Sequence, residues 1–153
     1  MRTCGRLVIL FVLAASTTGA AEPDYLLGAP GAPAESLLLT FVGDIMHHEP
    51  NAAMADYDRL YDAVRNDLVS DDLSFANIEF PVVRDKPASG YPRFNGTEQY
   101  VRAAIRGGFD VFGLANNHTF DWGAAGAVST LRTFDNLAMG EGIHHNGIRA
   151  GEA

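Results

Sequence analysis

Three polar clusters carry the residue types on which a reaction or a metal site can be built: Gly43-Asp44-Ile45-Met46-His47-His48, Asn77-Ile78-Glu79 and Asn116-Asn117-His118-Thr119-Phe120-Asp121. Together they supply carboxylates, amide oxygens and imidazoles but no thiolate, a ligand set that suits Zn, Mn or Fe. Each cluster alone also has a plainer reading. Asp44 can be a turn or helix cap, Asn116-Asn117 a turn, His118 a surface or hydrogen-bonded imidazole, and Glu79 a solvated loop residue before Pro81. What weighs against capping alone is recurrence, because each cluster follows an apolar stretch that reads as a strand.

The first of these stretches, residues 37–42, is almost continuously apolar and stops at Gly43-Asp44, as expected of a central strand buried on both faces. Tyr57, Leu60, Tyr61, Val64 and Leu68 then recur at helical spacing between charged residues, which predicts an amphipathic helix. A second strand is expected over 73–78. Residues 81–96 hold three prolines and two glycines without a period and read as a long surface loop. Thr97 can cap a helix that runs to Arg106 and ends at Gly107-Gly108, a third strand spans 109–115, and a further helix covers 122–138. Strand and helix in alternation imply parallel pairing through right-handed crossovers, hence an α/β fold with a mostly parallel sheet. In such a sheet the carboxyl ends of neighbouring strands open on one crevice, where the three clusters would meet.

The 153-residue chain is long enough for one compact domain, and 47% hydrophobic with 20% charged residues is ordinary for a globular protein. Arg2 and Arg6, the apolar run 7–15 and the small residues up to Ala21 have the layout of an export signal over 1–21, too short in its apolar part to span a bilayer. A Pro/Gly/Ala-rich linker over 22–35 then leads into a domain over 36–153. These readings predict an exported protein, periplasmic or extracellular, that meets the membrane only through its signal. The single cysteine, Cys4, falls inside that signal, so the remainder holds neither a disulfide nor a thiolate metal site. A net charge of −8, more negative still without the two signal arginines, argues against nucleic acid as a partner. An anionic ligand is still accommodated if a metal supplies local positive charge.

At the three clusters the chain resembles the CapA family of poly-gamma-glutamate capsule synthesis proteins. The resemblance lies in Gly43-Asp44-Ile45-Met46, Asn77-Ile78-Glu79, Asn116-Asn117-His118 with Asp121-Trp122-Gly123, and the run Gly90-Tyr91-Pro92-Arg93-Phe94-Asn95, over about residues 37–150. Each motif is weak alone; their order together is specific. That family is similar to the calcineurin-like metallophosphoesterases, which bind two metals. The resemblance therefore implies the N-terminal half of a metallophosphoesterase-like layered α/β sandwich. It also implies Asp44, Glu79 and Asn117 as metal ligands, His48 as a weaker ligand candidate, and His118 as the group that stabilises charge or protonates the leaving group. Asp121 is expected to orient the His118 loop. The related enzymes complete their site with histidines further along, in a Gly-His-x-His type motif, and no such motif occurs up to Ala153. His144 and His145 do not replace it, so a C-terminally truncated domain is expected.

Three functions follow. One is a hydrolase with divalent Mn, Zn or Fe acting on a phosphoester or similar bond. Another is a non-catalytic exported module that binds capsule polymer or its synthesis machinery. The third is an inactive truncated product.

Overall fold

The computed structural model describes residues 37–151, so the expected export signal over 1–21 and the whole expected linker over 22–35 lie outside the described residues. Within them, four strands form one parallel sheet in sequence order: β1 (Leu39–Ile45), β2 (Leu73–Ile78), β3 (Val111–Gly113) and β4 (His144–Asn146). Parallel neighbours need crossovers. They are supplied by α1 (Glu49–Ala52), a 3-10 turn (Tyr57–Leu60) and α2 (Arg65–Leu68), then by α3 (Glu98–Gly107), then by α4 (Gly123–Glu141). This is an α/β fold consistent with a layered sandwich. No helix among the described residues is long and apolar enough to cross a membrane.

The expected second strand is found at its expected bounds, and its side chains explain its place. Ser74, Ala76 and Ile78 are buried on one face, while Leu73, Phe75 and Asn77 alternate with them, half-buried on the other. The buried face joins Phe80, Phe94, Tyr100, Phe112, Phe134 and Leu137 in the main core. Helix α3 also follows its sequence signals. Thr97 Oγ1 accepts from Tyr100 N at 3.2 Å, and Gly108 closes the helix at φ 111°, a conformation that L side chains disfavour.

Two expectations change. The first strand runs from Leu39 to Ile45 and lies at the edge of the described sheet, not at its centre; Phe41 is 56% and Val42 41% exposed. An apolar strand is buried on both faces only where layers cover both, and β1 has β2 on one side and no described neighbour on the other. The expected helix over 57–68 is broken. Tyr61 N bonds to Asp58 O and Val64 N to Tyr61 O, three-residue spacings that tighten the chain into a 3-10 turn before α2 begins. The apolar register survives the break: Tyr61 and Leu68 are buried, and Tyr57, Leu60 and Val64 pack against the core.

Residues 81–96 are irregular as expected but not simply a surface loop, because both ends are buried. Asn95, 1% exposed, holds them together. Its Oδ1 accepts from Val83 N at 2.8 Å, while Nδ2 donates to the carbonyls of Val83, Lys86 and Pro87 at 3.0–3.1 Å. Thr130 on α4 accepts from Val82 N at 2.9 Å and fixes the same segment to the helix.

Candidate functional site

The register of β1 against β2 shifts between Phe41 and Asp44, so that Asp44 pairs with Asn77 and Ile45 with Ile78. Paired positions in a sheet project side chains to the same face. The consequence is a hydrogen bond from Asn77 Nδ2 to Asp44 Oδ1 at 2.7 Å. Asn77 Oδ1 in turn accepts from Asn116 Nδ2 at 3.2 Å, and the same Nδ2 reaches Ile78 O at 2.8 Å. Asn116 Oδ1 accepts from His118 N at 3.0 Å. One amide chain thus runs from the end of β1, across β2, to the loop after β3.

Glu79, one residue beyond β2, meets Asp44. A hydrogen bond between the two carboxyls raises the pKa of Glu79, burial and the negative charge of Asp44 raise it further, and His118 opposes the shift. Asp44 is held below the usual carboxylate range by the hydrogen bonds from Asn77 and Glu79, against a smaller effect of burial. The two carboxyls are therefore pushed apart in acidity, Asp44 ionising more readily and Glu79 less readily than usual, as expected of carboxylates placed close together.

His118 lies with Nδ1 2.9 Å from Asp121 Oδ2, and the two side chains are only 12% and 14% exposed. An ionised Asp121 only accepts, so Nδ1 carries the proton and Nε2 presents a lone pair. Asp121 Oδ2 also accepts from Phe94 N at 2.8 Å, which ties the 91–95 run to the His118 loop. His118 and His48 both stand in T-shaped contact with Phe94, at centroid distances of 4.6 and 5.1 Å.

Of the residues singled out in the sequence, Asp44 and Glu79 touch, His118 is within electrostatic reach of Glu79, and His48 is exposed and joined to the group only through Phe94. Asn117 is exposed and makes no side-chain hydrogen bond among the described residues; the tethering amide is its neighbour Asn116. His47 is a core residue. It is 1% exposed between Phe80 and Tyr100, and burial lowers its pKa, while the backbone at Ser89 and at His47 itself pulls the other way without reaching hydrogen-bond geometry. Sequence reasoning missed Asn77 and Asn116 as the amides that tie these strand ends together; their place two residues before Glu79 and His118 was the available signal. His144 is exposed and His145 pairs with Asp135 at 3.2 Å, away from these contacts. Among the described residues no three His, Cys, Asp or Glu side chains group closely enough to hold a metal by themselves.

Residues 38–153 match the family described as "Bacterial capsule synthesis protein PGA_cap". The chain belongs to that family. Over 108 residues it is 32% identical to the capsule biosynthesis protein CapA of Bacillus anthracis, an alignment that covers 65% of this chain and 26% of that protein. The chain thus spans about a quarter of the length of that relative. The described part of the family domain contains the whole strand-end cluster from Asp44 to Asp121.

Proposed function

We propose that this capsule-synthesis family member is exported and uses the ends of β1 and β2 to bind a divalent cation in a hydrolytic step on capsule polymer, or on a precursor handled by its synthesis machinery. The observation that carries the reading is the placement of Asp44 at the end of β1, bonded to Asn77 of β2, beside Glu79 just past the end of β2, where each carboxyl shifts the acidity of the other. Such a pair is an excess of negative charge that a cation relieves. The donor set fits an oxygen- and nitrogen-ligated Mn, Zn or Fe ion. Asp44 and Glu79 would hold it, and Asn117 and His48, both exposed, carry further donor atoms of the right kind. A bound ion of this kind supplies Lewis acidity toward a phosphoester or similar oxygen.

The chain's own residues do the remaining work. Asn77 holds Asp44 in its ionised form, and Asn116 fixes Asn77 and the His118 backbone. Asp121 fixes the imidazole through Nδ1, so that Nε2 of His118 accepts a hydrogen bond in the neutral form and, as imidazolium, donates to charge developing on the substrate and gives a proton to the leaving group. Export rests on the basic, apolar and small-residue succession over 1–21.

The test is metal analysis of the intact protein isolated from its exporting host, with phosphodiester hydrolysis measured on the same preparation. Stoichiometric Mn, Zn or Fe that is lost in Asp44→Asn, together with hydrolysis, supports the reading. An intact protein free of divalent metal sinks it. Metal without hydrolysis favours a polymer-binding module.

A further inference from the structure

Arg93 has no role in the carboxylate pair, yet it is an exposed cation held in place by two contacts. Its guanidinium carbon lies 3.7 Å from the centroid of the Trp122 ring, and its Nε donates to Asp121 O at 2.7 Å. The indole is fixed in turn, since Trp122 Nε1 donates to Phe94 O at 2.8 Å. Stacking and one hydrogen bond set the plane of the guanidinium, and the ordering entropy of a long side chain is already spent.

Both terminal nitrogens remain without a protein acceptor among the described residues. Arg84 pairs with Glu98, Arg102 with Glu98 and Glu141, and Arg106 with Asp58; Arg59, Arg65, Arg132 and Arg149 also lack an ion pair among the described residues, but Arg93 is the arginine held against an aromatic ring there. What sets Arg93 apart is that its guanidinium is both fixed in orientation and left without a carboxylate. Lys86 Nζ lies 5.9 Å from the same indole and adds a second cation, and Tyr91 beside it is 76% exposed. The ledge adjoins His118, because Asp121 gives its carbonyl to Arg93 and its carboxylate to His118.

We infer that Arg93, stacked on Trp122, anchors an oxyanion of the ligand, a carboxylate or a phosphate, beside the His118 end of the crevice. The planar fork of a guanidinium matches two oxygens of either group, and a stacked Arg gives that match without reorganisation. The location next to a reacting bond rests on the function proposed above; the anion binding itself requires no metal. Arg93 would thus select ligands that carry a second anionic group at a set distance from the one handled by Asp44 and Glu79.

Trp122, the chain's single tryptophan, reports on this contact directly. The full chain is titrated with inorganic phosphate and, separately, with glutarate, at constant ionic strength and with a chelator present, while Trp122 fluorescence is followed. A saturable change is expected with at least one anion, and whichever binds more tightly names the group. Arg93→Gln should weaken that binding about ten- to a hundredfold, as loss of a charge-assisted pair implies. Arg93→Lys, which keeps the charge and the stem but not the fork, should fall between the two. If Arg93→Gln fails to fold, Arg93→Lys decides, and an undiminished affinity there contradicts the proposal. So does the absence of saturation with both anions, or equal affinity in a folded Arg93→Gln. Since the chelator removes any metal, a failed metal analysis leaves this result standing on its own.

Discussion

Asn95→Asp changes one atom type in a fully buried position and leaves no cavity, so its effect isolates hydrogen bonding in the segment that carries Arg93 and Phe94. The acceptor side is preserved, because a carboxylate oxygen still receives Val83 N. The donor side is lost. Two N–H groups that serve the carbonyls of Val83, Lys86 and Pro87 are replaced by an oxygen facing three oxygens at 3.0–3.1 Å. Two buried hydrogen bonds at about 1–1.5 kcal/mol each, with part of the desolvation penalty of the orphaned carbonyls, give a loss of about 3–5 kcal/mol at neutral pH. Repulsion and burial raise the carboxyl's folded pKa above its unfolded value. Its protonated form regains a donor, so the deficit is smallest below the unfolded pKa and grows as pH rises through the folded pKa. Urea unfolding of parent and variant, followed by circular dichroism and Trp122 fluorescence at about pH 4.5 and 7, measures both the loss and its direction with pH. A deficit under about 1 kcal/mol at pH 7, or one that shrinks as pH rises, refutes the role given to Asn95.

Thr130→Val leaves Val82 N without its acceptor while keeping the side-chain shape, and should cost about 1–3 kcal/mol in the same unfolding assay. Gly108→Ala forces a side chain into φ 111° and places a Cβ 2.9 Å from that of Leu68; a loss above about 1 kcal/mol is expected, with a lower thermal midpoint. For Glu79→Gln the sign follows from a raised folded pKa. Stability from the hydrogen bond of protonated Glu79 to Asp44 is present below the unfolded pKa and is lost as pH rises through the folded pKa, whereas glutamine donates to Asp44 at every pH. In the absence of metal the variant should therefore be more stable than the parent at neutral pH, and its thermal midpoint should depend less on pH above the carboxylate range.

How far the sequence reaches depends on whether a feature is local. Strand β2 and helix α3 are written in adjacent residues: alternation from Leu73 to Ile78 in one, and Thr97 with Gly107-Gly108 in the other. The convergence of Asp44 and Glu79 was also legible, because parallel topology alone directs consecutive strand ends to one side. Burial of β1 was not, since apolar content says that a strand needs covering and not which element covers it. The helix over 57–68 kept its apolar register but lost its continuity to three-residue hydrogen bonds that no periodicity reveals. The same holds in the 81–96 segment, where Asn95 binds carbonyls eight to twelve residues away and Arg93 stacks across to Trp122. In the Asn116-Asn117 pair, composition shows two equivalent amides, and only tertiary contacts show that Asn116 is tied down while Asn117 is exposed.

The cation site proposed at the ends of β1 and β2 is tested most directly by the side-chain carboxyl of Glu79, observed by carbon NMR through a pH titration with and without Zn. Without metal Glu79 should titrate above the ordinary glutamate range. With Zn present it should ionise at distinctly lower pH, as the cation offsets the negative charge of Asp44. An identical titration in both conditions would contradict the account.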